Sequence, residues 1–255
     1  MLISHRYRLI FLHNRKAAGS SITAYLNRVM GPDDLQIGVW RDAIRYGGRY
    51  NRSVLREVVS SDGLRALAYY ARRLRTPRPS RFVERVQEYR YPPLLATTNI
   101  AHPSAAAVRA AFPEEWDAYY KFCVVRNPYD KAVSDYRWMT RKLPAGQVSF
   151  LEFLERLADP QRPDPEGVVP QPPTNWPLYT IDDRVAVDFP CRYERLQEDL
   201  LEVFRRVDLG DDLDSLPDAK QGSRQVGYRA FYGERERRLV EQLHDPEITT
   251  FGYSF

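Results

Sequence analysis

A chain of 255 residues, 43% hydrophobic and 13% aromatic, can bury the core of one α/β domain of ordinary size or of two small ones. Its two cysteines and four histidines show no zinc spacing, and no stretch reaches the roughly 18 uncharged apolar residues that a membrane span needs. The formal charge of +4 is modest but uneven: Trp40 to Pro93 holds 13 arginines, no lysine and 5 acidic residues, an excess suited either to an anionic partner or to solvated helices.

The opening MLISHRYRLIFLHN carries charge within its first eight residues and runs straight into a strand pattern, so no secretory leader is expected. Arg8 to His13 is an apolar run suited to a buried parallel strand, and Ser20 to Val29 reads as a helix ended by Gly31-Pro32. Trp40 to Arg90 is expected to be mainly helical, with a break at Thr76 to Ser80. Leu94 to Asn99 is expected as a second strand, and Ser104 to Phe112 as a helix capped by Ser104.

Tyr120 to Arg126, β-branched and aromatic, is the clearest strand, and Pro128 starts a helix that continues to Arg141. Phe150 to Ala158 predicts another helix. Asp159 to Pro177 holds seven prolines and reads as a surface loop. Val185 to Phe189 suits a strand, Glu194 to Val207 a helix stopped by Gly210, and Glu234 to His244 a late helix. The alternation predicts one α/β domain over residues 1–255: a mostly parallel central sheet flanked by helices, with a helical basic insertion at 40–93. Cys123 and Cys191, each beside apolar residues, are expected to be reduced core thiols of a cytoplasmic protein.

Chemistry concentrates first in HNRKAAGSSI, His13 to Ile22, which follows a buried strand and opens a helix. Such a turn aims backbone N–H groups and the positive end of the helix dipole at one spot, an anion site. Lys16 adds a point charge, Gly19 permits close backbone approach, and Ser20 and Ser21 offer hydroxyls. The nucleotide triphosphatase signature puts its lysine after the last glycine, whereas Lys16 stands three residues before Gly19. A plain βα turn with a capping serine would read the same way locally. The second motif, RNPYDKAVSDY from Arg126 to Tyr136, lies at the C-terminal end of the clearest strand, the edge where open parallel sheets bind ligands. Arg126 is a planar donor suited to phosphate, and Ser134 stands about two turns into the following helix.

Together the two motifs resemble the PAPS-dependent sulfotransferases, especially the branch containing carbohydrate O-sulfotransferases. In that family a KTAGTS-like loop holds the 5′-phosphosulfate and an RNP…S segment the 3′-phosphate. Here the loop reads KAAGSS, with Ala17 in place of threonine and Arg15 where proline is common, and Lys131 stands where arginine is common. The resemblance implies a P-loop-like sulfotransferase fold and nucleotide contacts from Lys16, Ala17, Ala18, Gly19, Ser20, Ser21, Arg126 and Ser134. RYERLQEDL, Arg192 to Leu200, is similar to the family segment near the adenine, which makes Tyr193 a base contact. Asp245 to Phe255 is similar to the family's C-terminal signature.

The implied reaction moves a sulfuryl group from 3′-phosphoadenosine 5′-phosphosulfate (PAPS) to an acceptor hydroxyl, leaving 3′-phosphoadenosine 5′-phosphate (PAP), with no metal required. The acceptor would be a carbohydrate or small molecule, and the arginine excess suits an anionic one. Lys16 would pair with the oxygen that becomes negative as the sulfuryl group departs. A hydroxyl acceptor also needs a general base. Of His5, His13, His102 and His244, His102 is favoured, because it follows the expected strand Leu94 to Asn99 and precedes a helix at the ligand edge, and the resembling carbohydrate enzymes often carry their base after the comparable strand. KQGSR, Lys220 to Arg224, is a basic loop that could close over the 3′-phosphate or be a solvated turn. Two rival readings are a P-loop kinase-like phosphotransferase, disfavoured by Ala17 where a magnesium-binding hydroxyl would stand, and a non-catalytic nucleic-acid-binding protein, for which no recognised motif is present.

Overall fold

A computed structural model describes residues 1–210 and 227–255. Seven strands occur among them: β1 (Leu2–Ser4), β2 (Leu9–Leu12), β3 (Leu35–Gln36), β4 (Tyr120–Val125), β5 (Thr180–Ile181), β6 (Arg184–Val185) and β7 (Phe189–Arg192). Five of these form the central sheet in the order β3-β1-β2-β4-β7, and β5 and β6 form a separate antiparallel ribbon. β2, β4 and β7 run parallel to one another, while β1 is antiparallel to both β2 and β3. Four of the five strands therefore share one direction, but the sheet is mixed, because the short β1 returns against its neighbours.

Thirteen α-helices are described: α1 (Gly19–Val29), α2 (Trp40–Arg45), α3 (Arg52–Val58), α4 (Ser61–Ala71), α5 (Pro79–Leu95), α6 (Ala105–Ala111), α7 (Pro113–Ala118), α8 (Pro128–Thr140), α9 (Phe150–Ala158), α10 (Trp176–Tyr179), α11 (Leu196–Arg206), α12 (Glu234–Leu243) and α13 (Asp245–Phe251). No helix among the described residues is long and apolar enough to cross a membrane.

The strands are apolar on both faces because both faces are covered. Period-2 alternation sends Ile10, Leu12, Cys123 and Val125 into one cluster with Tyr91, Val108, Tyr179 and Phe251. Leu9, Phe11, Phe122 and Val124 face the other way, into a cluster with Ile22, Tyr25, Val203 and Phe204. Each large side chain so buried contributes roughly 1.5–3 kcal/mol. A third cluster fastens α8, α9 and α12 through Tyr129, Val133, Phe153 and Val240. Cys123 and Cys191 are buried free thiols in neighbouring strands, and burial pushes both pKa values up, so neither is a ready nucleophile.

The chain departs from its local signals in three places. Leu94 to Asn99 is not a strand: α5 runs through Pro92 and Pro93 to Leu95, which is fully buried at the helix end. Two missing N–H groups and a left-handed Ala96 then stop the helix, and tertiary burial of Leu95 decides what β propensity could not. Val185 to Phe189 is split, ending one strand and starting another. The insertion holds four helices, with the expected break between Ala71 and Pro79. The proline-rich segment is no mere surface loop: Val168 and Asn175 are buried, and Arg156 of α9 reaches across to Asp164 and Glu166. The KQGSR segment lies outside the described residues.

Gln87 fixes the insertion to the sheet. Its side-chain oxygen accepts from the Gly38 N–H at 2.8 Å and the Trp40 indole at 3.2 Å. Its nitrogen donates to the Gln36 carbonyl at 2.8 Å and to Glu57 at 2.9 Å, and Glu57 in turn accepts from the Tyr91 hydroxyl. All four groups of this fully buried amide are engaged. The variant Gln87→Leu orphans donors and acceptors that water cannot reach. It should lower unfolding free energy by at least about 2 kcal/mol in urea titration.

Candidate active site

β2, β4 and β7 are neighbours running in one direction, so their C-terminal ends meet at a single edge of the sheet. The loop of residues 13–18 leaves the end of β2, Arg126 that of β4 and Tyr193 that of β7. This edge opens on a cavity of about 910 Å³, within the usual size range of small-molecule sites. Lys16, Ala17, Ala18, Gly19, Ser20, Ser21, His102, Arg126, Ser134 and Tyr193 all line it.

The loop is shaped by side chains that seize its carbonyls. His102 Nδ1 lies 2.6 Å from the His13 carbonyl, Asn175 donates to the Arg15 carbonyl at 2.9 Å, and Arg126 Nη1 donates to the Lys16 carbonyl at 2.7 Å. The Asn14 amide crosses to the Val124 carbonyl of β4 at 2.9 Å. Lys16 and Ala18 both adopt left-handed backbone, φ 57°, and Ala18 caps α1 in that conformation. Gly19 is required by sterics at the next position. A Cβ there would stand 1.8 Å from His13 Cδ2, so the imidazole occupies the space of the missing side chain.

Arg126 is the hub. Its Nε donates to Asp130 at 2.7 Å, its Nη1 lies 3.5 Å from the Ser134 hydroxyl, and its guanidinium stacks 4.0 Å from the Tyr193 ring centroid. Burial pulls its pKa down from the ordinary value, but a guanidinium keeps its charge at any working pH. Lys16 Nζ lies 4.6 Å from the Trp138 ring centroid, one turn beyond Ser134 on α8.

Other expected contributors sit differently from their local reading. The Ala17 side chain packs into the hydrophobic cluster beneath the loop, so only its backbone can serve a ligand. The Ser20 hydroxyl donates its one proton to Asp42 at 2.8 Å, so its oxygen would meet an anion only as another acceptor, and the donor it can offer is its backbone amide. His244 is buried against Glu247, and His5 bonds Tyr119.

Sequence reading missed a second layer. Asp135, fully buried on α8, meets Lys131 at 2.6 Å and Arg15 at 3.7 Å. Burial alone would raise its pKa, but Lys131 and then Arg15 outweigh that and hold the carboxyl below its ordinary value. The i,i+4 spacing of Lys131 and Asp135 was a visible signal. The role of Arg15 had none: it donates to the carbonyls of Pro172 and Pro173, at 2.5 and 3.1 Å, clamping the proline-rich segment to the loop. Arg15 Nε is buried with no hydrogen-bond partner among the described residues, a polar demand beside the cavity that an anion or water would meet.

Comparison with known proteins accords with this geometry. The model of the sulfotransferase family matches residues 1–253. The chain belongs to the sulfotransferase family. It is also 34% identical over 104 residues to an uncharacterized protein of Archaeoglobus fulgidus, covering 39% of this chain and 76% of that relative. No solved structure matches it significantly.

His102 carries a pH signature. A carbonyl can only accept, so its Nδ1 must donate to His13 and the neutral ring keeps its lone pair on Nε2. Burial lowers its pKa from 6.5 to about 4, against the opposing hydrogen bond to His13. Below its ordinary pKa the unfolded chain therefore takes up a proton that the folded chain refuses, and stability falls as pH drops from 6.5 toward 4. Urea unfolding at about pH 7 and about pH 5 should show a larger loss for the wild type than for His102→Gln, which lacks the titrating ring. Equal losses would mean that His102 titrates normally in the fold.

Proposed function

We propose that this chain transfers a sulfuryl group from PAPS to an acceptor hydroxyl. The observation that carries the reading is the hydrogen bond from Arg126 to the Lys16 carbonyl. It joins motifs 110 residues apart on the wall of one cavity. A nucleotide bearing phosphate at both its 5′ and 3′ positions needs two cationic anchors facing a common volume, and the donor set fits that demand. The bound nucleotide would supply an activated sulfuryl group attached to a phosphate leaving group.

The chain's own residues then divide the work. Lys16 neutralises charge as it develops on the 5′-phosphate, assisted by first-turn amides of α1 and by the hydroxyl of Ser21, while the Ser20 hydroxyl is committed to Asp42. Arg126 and Ser134 hold the 3′-phosphate. Asp130 and Tyr193 keep the guanidinium in its orientation, and Tyr193 also offers an aromatic edge to the base. His102, neutral at working pH with its Nε2 lone pair available, takes the proton from the acceptor hydroxyl. Burial makes it a weak base, and the nearby Asp135 charge works in the opposite sense, favouring the imidazolium that proton transfer creates.

Gly38, Val39, Arg41, Asp42, Arg81, Glu84 and Glu88 line the cavity from the insertion and the segment before it, which supports an acceptor-side role for residues 40–93. Only two of the insertion's 13 arginines are among them, and both pair with Glu84. The arginine excess thus gives little support to an anionic acceptor. A neutral sugar or small-molecule hydroxyl suits this wall better.

Calorimetry with PAP tests the nucleotide assignment, and Arg126→Ala should weaken binding at least about tenfold. With radiolabelled donor, Lys16→Ala should lower turnover about 10²–10³-fold. His102→Asn, whose amide can still donate to the His13 carbonyl but offers no basic nitrogen, should abolish turnover while leaving PAP affinity nearly intact. Turnover should survive magnesium chelation, which an ATP-dependent phosphotransferase would not. Undiminished PAP binding by Arg126→Ala, or near-normal turnover by Lys16→Ala, removes the reading.

A further inference from the structure

Most arginines of the insertion face away from the cavity, and they keep unusual company. Of seven exposed large apolar side chains among the described residues, five fall between Leu55 and Leu74. Leu55 and Val59 stand one turn apart on and just after α3. Leu64, Leu67, Ala68 and Ala71 stand at i, i+3, i+4 and i+7 on α4, all exposed, and Leu74 follows in the turn at 96% exposure. The inward side of α4 carries small residues instead, Gly63 and Ala66. Gly63 lets the helix seat against the end of α3, since a Cβ would stand 1.8 Å from the Val58 carbonyl oxygen. α4 is thus amphipathic in reverse for a globular protein, small inward and leucine-rich outward.

Charge narrows what can cover this stripe. Arg72, Arg73, Arg75 and Arg78 are exposed in the turn between α4 and α5, and none has a carboxylate within ion-pair distance among the described residues. Nearby, Arg52 and Arg56 share the single carboxylate of Asp33, and Arg65 pairs with Asp62. The occupant must therefore be both apolar and anionic over one extended surface. Nucleic acid would satisfy the arginines but offers no apolar phase for Leu64, Leu67 and Leu74. A bilayer of acidic lipids offers both, with headgroup charge beside acyl chains.

We propose that α3, α4 and the arginine-rich turn after them form a docking surface for an anionic membrane, lying in its plane. α4 packs on α5 through Tyr69 and Tyr70, which bond Arg85 and the Arg81 carbonyl at 3.3 and 3.4 Å. Since α5 gives Arg81, Glu84 and Glu88 to the cavity wall, docking holds the cavity one helix from the lipid surface. The surface is independent of which donor or acceptor the cavity takes.

Vesicle flotation tests this with the full chain. It should float with phosphatidylcholine vesicles containing about 30 mol% phosphatidylserine and not with phosphatidylcholine alone, and less at about 0.5 M than at about 0.1 M salt. The combined variant Leu64→Asp, Leu67→Asp, Leu74→Asp, and separately Arg72→Gln, Arg73→Gln, Arg75→Gln, Arg78→Gln, should each lower partitioning at least about tenfold. All altered positions are exposed, and circular dichroism melting checks that both variants stay folded. The proposal is overturned if the wild type does not float, if folded variants float equally well, or if phosphatidylcholine alone suffices. It is equally overturned by a solution dimer that the aspartate variant dissolves, or by RNA binding that acidic vesicles fail to compete.

Discussion

A buried guanidinium donating to a main-chain carbonyl holds this site together. Arg126 grips the oxygen of Lys16, and the loop between the first parallel strand and its helix is thereby fixed to the end of the next strand. Without that bond the left-handed backbone at Lys16 and Ala18 would have little to hold it, since each such residue costs roughly 1–2 kcal/mol. His102 and Asn175 act on neighbouring carbonyls in the same way, so three distant segments shape six residues. In a trans peptide the N–H points opposite to the C=O, so fixing the carbonyls also fixes the amides.

What could be read from the sequence was whatever local pattern dictates. The strands at Arg8 to His13 and Tyr120 to Arg126 were legible because both are continuous β-favouring runs, and the helix Phe150 to Ala158 appears with the expected bounds. Ser104 caps α6 through the Ala107 amide, as a serine before a helix should. Lys16, Arg126 and Tyr193 could be expected at one cavity because they follow strands whose parallel neighbours bring them to one edge, whereas His102 follows α5 and no strand, and reaches that edge through its bond to the His13 carbonyl.

What sequence could not yield depends on partners far along the chain. Leu95 belongs to a helix because a core lies beneath it, although its neighbours favour strand. Gly19 is there for the His13 ring as much as for any ligand, a contact that the motif's phosphate chemistry conceals. The charge excess of the insertion was visible, but its direction was not. A count of arginines carries no vector, and the fold turns most of them away from the cavity, beside exposed leucines. The antiparallel β1 escaped notice because a three-residue strand has too little length to show a period.

Arg15 ties the proline-rich segment to the mouth of the site, with its carbonyl held by Asn175 and its guanidinium by the two proline carbonyls. The segment is therefore a strap, and its length is a dimension of the cavity. A deletion within 159–177 that spares every lining residue would slacken the loop through its main chain. Proteins sharing this architecture would have to change strap and loop together, so divergence in one should be accompanied by compensating divergence in the other.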